Sequence, residues 1–230
     1  MRIDVPHDWP QDEAAALRIQ DGLRGLVDLE GPGPREPLTV AGLDVAYGPD
    51  SQGGTVERVA AAVVVLDAKT LVPVAMETAV GDVSFPYVPG LFAFRELPTL
   101  IAALRKLPVA PDLLLCDGQG LAHPRRFGLA CHLGVLTGLP AVGVAKNPFI
   151  GTYEGLGEER GDWAPLVDGD ETVGRALRTQ KGVKPVYVST GHGIDLDTAC
   201  HHVLATAPKY RLPESTRLAD RLCRDVLRAA

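Results

Sequence analysis

Leu38-Thr-Val-Ala-Gly-Leu-Asp-Val-Ala-Tyr47 opens a run of three strand-like segments. Val56 to Asp67 follows, rich in alanine and valine, and then Leu71 to Val80. Turn residues separate the first two, and only Ala68-Lys69-Thr70 separates the second from the third. Connections this short cannot carry a crossover, so the three segments predict an antiparallel meander.

Beyond Val80 the period changes. Gly90 to Leu107 reads as a helix interrupted at Pro98, and Pro111 to Asp117 as a short apolar strand. Phe127 to Thr137 reads as a second helix and Ala141 to Ala145 as a further strand. Alternating helix and strand implies parallel crossovers. Upstream, Gln11 to Leu29 has apolar residues at helical spacing and ends at Gly31-Pro-Gly-Pro34. Downstream come a strand at Val186 to Ser189, a helix at Leu196 to Ala207, and a terminal helix from Ser215. Three antiparallel strands, then helix, strand, helix, strand, is the order of an RNase H-like core. The predicted fold class is therefore α/β, a mixed sheet of three antiparallel strands followed by parallel strands and flanked by helices.

With 230 residues, the chain suits one α/β domain spanning 1–230. No apolar run approaches the ~18 residues of a membrane span, and Met1 to Pro10 lacks the apolar core of a signal peptide. A cytoplasmic, monomeric protein with no membrane and no obligate protein partner is the expectation. Cys116, Cys131, Cys200 and Cys223 form no Cys-x-x-Cys pair and lie in apolar or helix-like stretches, which predicts free core thiols. The net charge of −6 argues against broad wrapping of nucleic acid, but not against an enzyme whose acids hold metal ions.

Four acids stand out. Asp44 interrupts an apolar strand, and Asp117 closes one just before Gly118-Gln-Gly120. Functional groups gather beyond the carboxyl ends of parallel strands. If the two strands are neighbours, the helix between them can present Glu96 to both aspartates. Asp220 lies on the terminal helix. Each has a plain alternative: a solvated strand face for Asp44, a turn support for Asp117, and an ordinary surface helix for Glu96 and Asp220. Two carboxylates ~5 Å apart repel by roughly 3 kcal/mol at an effective dielectric near 20, so a cluster of them implies a cation or raised pKa values. Oxygen ligands select Mg²⁺ or Mn²⁺ over zinc.

At this point the chain resembles the endonuclease V family. The resemblance rests on Val40 to Tyr47, on Pro86-Tyr-Val-Pro-Gly-Leu91 with Phe94-Arg-Glu96, and on Asp117-Gly-Gln-Gly-Leu-Ala-His-Pro-Arg-Arg126. It continues through Gly143-Val-Ala-Lys146, Ser189-Thr-Gly-His192, Tyr210-Arg-Leu-Pro-Glu214 and Thr216-Arg-Leu-Ala-Asp220. The resemblance implies that Asp44, Glu96 and Asp117 form a metal site for Mg²⁺, with Mn²⁺ as substitute. Asp220 matches a fourth position where some relatives carry histidine. Lys146 matches a lysine near the scissile phosphate, and His123 an active-site histidine that touches phosphate or supports the site.

The same resemblance makes Pro86 to Gly90 a wedge that parts stacked bases, with Tyr87 at its tip. On the residues alone, Tyr87 could simply pack a loop. Gly90 and Gly118 leave room for an extruded base read by main-chain groups, and turn glycine is the plain alternative for both. Arg125 and Arg126 are candidates for contact with the nucleic-acid backbone, although one could instead pair with an acid. The implied reaction is hydrolysis of the second phosphodiester bond 3′ to inosine, leaving 3′-hydroxyl and 5′-phosphate ends. Inosine-containing DNA is the implied partner and RNA remains open. Three alternatives stay in view: another RNase H-like nuclease acting on RNA–DNA hybrids or structured nucleic acid, a silent binding module, and a remote hydrolase built on Ser189 and His192. Ser215 stands where a proline is more usual, and Asn147-Pro148-Phe149 departs from many relatives.

Overall fold

The computed structural model describes residues 1, 3–49 and 57–229. Strands β1 (Thr39–Pro49), β2 (Glu57–Asp67) and β3 (Pro73–Asp82) form the antiparallel meander. The expected first residue of the second strand, Val56, lies outside the described residues. Asp67 shapes the β2–β3 turn: its Oδ1 accepts from the backbone N–H of Lys69 at 3.1 Å and of Thr70 at 2.7 Å.

Helix α1 (Glu13–Arg24) precedes the meander. Helix α2 (Ala93–Leu104) follows it and returns the chain to β4 (Leu113–Cys116), which pairs in parallel with β1. Helix α3 (Leu129–Thr137) then leads to β5 (Ala141–Ala145), parallel to β4. Strands β6 (Trp163–Asp168), β7 (Glu171–Leu177) and β8 (Val186–His192) extend the sheet antiparallel. Helices α4 (Leu196–Thr206) and α5 (Glu214–Ala229) finish the chain. The sheet order is β3-β2-β1-β4-β5-β8-β7-β6, in which the first five strands make the RNase H-like arrangement and β8, β7 and β6 extend it.

Two elements depart from the sequence expectation. Helix α2 starts at Ala93 and runs through Pro98 without interruption. Proline there removes one main-chain bond, and the packing of Leu97, Leu100, Ile101 and Leu104, all essentially buried, outweighs it. The β6–β7 hairpin was not expected, because Pro165 and Gly174 weaken both runs as strands. Strand β6 is the edge of the sheet, where proline is tolerated.

Both faces of the central sheet are covered. Val63 and Ala61 of β2 point to the core beneath α2, while Val64 and Ala62 meet Ala219 and Cys223 of α5. Burial on both faces accounts for the near-continuous apolar run of β2. All four cysteines are free and buried. No helix among the described residues is long and apolar enough to cross a membrane.

Helix α5 lies directly on β1 at Gly42. A Cβ there would sit 2.1 Å from the carbonyl carbon of Ser215 and 2.3 Å from the nitrogen of Thr216. Both are backbone atoms and cannot step aside cheaply. Gly42→Ala is therefore expected to cost more than ~2 kcal/mol through overpacking, which for a domain of this size lowers Tm by roughly 5–10 °C. Scanning calorimetry of the variant checks this, and a Tm within ~1 °C of the parent would remove the contact from the account.

Candidate active site

The last β1–β4 pair is Leu43 with Cys116, so Asp44 and Asp117 are the next residues along two adjacent parallel strands. The N–H of Asp117 donates to the carbonyl of Leu43 at 3.2 Å, tying the residue after β4 to the middle of β1. Period-2 alternation puts Asp44 on the same face as Gly42, the face that α5 covers. Asp220 of α5 thereby comes near enough to Asp44 to raise its pKa. Glu96, in the first turn of α2, is partly buried and feels the charge of Asp117. Asp117 thus feels both Asp44 and Glu96, and Asp220 feels Asp44, which links the four acids singled out from sequence in pairs.

The electrostatics of the group are those of crowded carboxylates. Burial, then the charge of Asp117, pushes Asp44 up to about 8, against the opposing pull of Lys146. Burial also pushes Glu96 up to about 7, although the hydroxyl of Tyr47 donates to its Oε1 at 3.3 Å. The ammonium of Lys146, the residue just past β5, pairs with Asp117. Burial works to lower the lysine pKa, but that pairing and the charges of Asp117, Asp44 and Asp220 outweigh it and raise it.

One Asp44 oxygen, Oδ1, accepts from the N–H of Val45 at 2.8 Å. The other, Oδ2, is closed to solvent and has no hydrogen-bond partner. A buried acceptor without a donor is costly, and a cation beside it removes the cost. Among the described residues, no three acidic, histidine or cysteine side chains converge closely enough, as they stand, to grip one ion. The donor chemistry nevertheless fits a hard divalent cation, being all carboxylate with one orphaned oxygen at its centre.

A cavity of about 280 Å³ adjoins the acids. Glu96 and Asp117 form part of its wall, and Gly90, Gly118, His123 and Phe149 form another part. The Pro86–Gly90 segment runs between two buried residues, Phe85 and Leu91, and reaches the cavity at Gly90. Arg95 holds the Phe85 carbonyl at 2.7 Å and Glu57 at 2.6 Å. Tyr87 is 68% exposed and meets Phe92 edge-on, at 4.8 Å between ring centres. An aromatic ring left that open on a stiff loop is not packing a core.

His123 sits deeper than expected for a phosphate contact. It is buried, its Nε2 donates to the Gly90 carbonyl at 3.0 Å, and its Nδ1 accepts from the N–H of Arg125 at 3.2 Å. Burial pulls its pKa down to about 4, so the ring is neutral and both nitrogens serve the backbone. Arg126 pairs with Asp168 at 2.8 Å and Glu171 at 2.7 Å on the β6–β7 hairpin. It adopts a left-handed backbone, φ +56, and also donates to the His123 carbonyl. Arg125 pairs with the half-exposed Asp21.

Sequence reasoning missed several supporting residues. Gln20 of α1 is buried and donates to the Gly90 carbonyl at 3.0 Å. Tyr47, Gln119, Phe92 and Phe149 line or brace the site. Only Gln20 left a readable trace, as a polar residue on the apolar face of a helix. Ser189 is fully buried and accepts from the N–H of Gly120 at 2.8 Å, while His192 accepts from the N–H of Asp28 at 3.1 Å. Neither is free to serve as a nucleophile–base pair.

The family model for Endonuclease V matches residues 21–221. The chain belongs to this family. Membership makes it an endonuclease. An Endonuclease V of Streptomyces avermitilis is 60% identical over 99% of this chain and 98% of its own length. Its crystal structure superposes with a TM-score of 0.91, covering 98% of this chain and 97% of that one. The Bacillus subtilis member, at 33% identity, superposes at 0.92 over 100% and 98% of the two chains. A Ciona intestinalis Endonuclease V, 27% identical with a TM-score of 0.78 over 94% and 98%, was solved with a 24mer DNA containing an inosine followed by a ribo-adenosine.

The raised Asp44 pKa makes a stability prediction. An unfolded aspartate titrates near 4, and the folded group titrates at about 8. Below ~4 both states are protonated and the group costs nothing; above about 8 the penalty is complete. Metal-free protein is therefore expected to lose stability from this group as pH rises from 4 to 8. Asp44→Asn should raise the metal-free Tm at pH 8 and flatten that slope. Thermal melts in chelator across this range check it; an unchanged slope would mean that Asp44 is not ionised at a thermodynamic cost.

Proposed function

We propose that the protein cuts one strand of inosine-containing DNA at the second phosphodiester bond on the 3′ side of the lesion, leaving 3′-hydroxyl and 5′-phosphate ends. The observation that carries this reading is one cavity lined by Glu96 and Asp117 together with Gly90, Gly118, His123 and Phe149. It couples a place for chemistry to a slot able to accept a flat base. The Ciona relative, solved with inosine-bearing DNA, supports the substrate class. The ribo-adenosine after that inosine keeps RNA within the reading.

Asp44, Glu96, Asp117 and Asp220 would hold Mg²⁺, with Mn²⁺ as substitute. A divalent ion supplies activation of water and stabilisation of the leaving oxygen. Tyr47 fixes the orientation of Glu96 through its hydroxyl. Lys146, with 41% of its side chain exposed, can turn from Asp117 to an incoming phosphate oxygen as a compact positive charge. Asp220 also pairs with Arg224 at 2.7 Å, one turn away on α5, which orients its carboxylate without neutralising Asp44.

Lesion recognition divides between wedge and slot. Tyr87 fills the gap left when a base swings out. Both lone pairs of the Gly90 carbonyl are taken, by Gln20 and His123, so that oxygen does not read the base. Gly90, with φ +84, supplies the turn and the room. Main-chain groups at Gly118 are left to read hypoxanthine, with Phe149 on the wall as a stacking surface. His123 then acts by holding the wedge loop in place. Arg126 is committed to the hairpin, so Arg125, whose partner is half-exposed, is the arginine able to exchange an acid for phosphate.

The test uses duplexes that differ only at one base, inosine or adenine, with an RNA–DNA hybrid as a third arm. Nicking that requires Mg²⁺ or Mn²⁺, stops in chelator and maps to the second bond 3′ to inosine is the expected result. Equal cutting of the hybrid and the undamaged duplex would replace this reading with that of a general RNase H-like nuclease. Asp117→Ala should slow cleavage by at least ~10²-fold, the scale for losing one strong electrostatic contributor.

Tyr87→Ala should blunt discrimination while leaving the metal requirement unchanged. Loss of one aromatic stack costs about 1–3 kcal/mol, or roughly 5- to 150-fold in preference for inosine over adenine. Competition between the two duplexes measures this ratio directly. A variant that discriminates as well as the parent would strip Tyr87 of the wedge role.

A further inference from the structure

The stretch Tyr210-Arg-Leu-Pro-Glu214 lies between α4 and α5, and its arginine has no part in the site as described so far. Arg211 sends its guanidinium to the ends of β5 and β8. Its Nη2 donates to the carbonyl of Lys146 at 2.5 Å and to the carbonyl of Pro185 at 2.7 Å, and its Nε donates to Pro185 at 3.3 Å. The β5–β8 ladder ends at the pair Ala145 with Tyr187. Lys146 and Pro185 lie just beyond that end, and Arg211 supplies the donors there. The next carbonyl, that of Asn147, accepts from Gln119 Nε2 at 3.0 Å. The main chain at the root of Lys146 is thus pinned from two sides, by the segment before α5 and by the loop after Asp117. Arg211 is itself held: its carbonyl accepts from the hydroxyl of Thr179 at 2.6 Å.

We propose that Arg211 is a positioning residue that sets where the Lys146 ammonium meets the scissile phosphate. The inference rests on the phosphate role given to Lys146 under Proposed function. A lysine has a flexible four-carbon stem and reaches a defined point only if its root is fixed. Errors of ~1 Å in such a group can cost ~10²-fold in rate. Arg211 touches neither acids nor cavity in this arrangement. Its effect on cleavage runs through the backbone of Lys146, and the same contact ties the lysine to the segment that leads into α5 and Asp220.

The test is a double-mutant cycle of Arg211→Ala and Lys146→Ala, read as single-turnover rate at saturation, half-saturating enzyme concentration and Tm. Arg211→Ala is expected to slow the saturated rate ~10- to 100-fold and to leave the half-saturating concentration within ~2-fold. Arg211→Lys, whose ammonium can bridge both carbonyls, should recover most of the rate. In the Lys146→Ala background, removal of Arg211 should cost less than ~2-fold, because the group it positions is gone. An equal loss in both backgrounds would make Arg211 a general staple and overturn the inference, as would an unchanged rate in the single variant. If Lys146→Ala is itself as fast as the parent, the phosphate role of Lys146 fails, and the inference falls with it for that separate reason. Should Arg211→Ala fail to fold, the cycle is run with Arg211→Gln, which keeps one donor. The expected pattern is then a smaller loss that again vanishes without Lys146, and persistence of that loss overturns the proposal.

Discussion

Two carboxylates just past the end of the parallel β1–β4 ladder repel, and much of the surrounding structure serves to tolerate them. Asp44 and Asp117 come one after the other beyond the β1–β4 ladder, and burial raises the cost of charging Asp44 further. One ammonium, from Lys146, offsets part of that cost. The remaining oxygen of Asp44 has no donor at all. A core that carries such a group draws its stability from elsewhere, here from strands packed on both faces and from two helices, α2 and α5, clamped across β1 and β2. The site is therefore strained electrostatically rather than sterically, and a bound divalent ion would relieve the strain it answers to.

The geometry of the crevice depends on close approach. Gly42 lets the start of α5 lie on β1, and that contact decides how far Asp220 is carried toward Asp44. The 86–90 loop is held by a chain of contacts that begins with neutral groups and ends in ion pairs. Gln20 and His123 share the Gly90 carbonyl, Arg126 holds the His123 carbonyl, and the β6–β7 hairpin holds Arg126 through two acids. Burial keeps His123 uncharged, so this chain does not loosen at neutral pH.

The hairpin also shows how local weakness becomes useful. Pro165 is tolerated at the edge strand β6, Gly174 on the interior strand β7 leaves room for the Val188 carbonyl, and the turn between the strands delivers Asp168 and Glu171 to Arg126. An irregular extension of the sheet thus braces the 123–126 turn, whose His123 lines the cavity.

Much was readable from the residues in order. The short Ala68-Lys69-Thr70 connection favoured a meander and the switch to helical period pointed to crossovers, while the β1–β4 pairing that sets Asp44 beside Asp117 was established by the tertiary structure. A charged residue inside an apolar strand, or at its end before glycine, announces itself because burial of a lone charge is so costly. The supporting residues do not announce themselves. Gln20, Tyr47, Gln119 and Arg211 act through contacts such as Gln20 with Gly90 and Arg211 with Lys146, far apart in the chain. The neutral state of His123, the commitment of Arg126 to two acids and the orphaned oxygen of Asp44 were likewise decided only by packing. Hydrogen-bond partners and desolvation depend on which surfaces meet, and a linear pattern carries period and composition but not that.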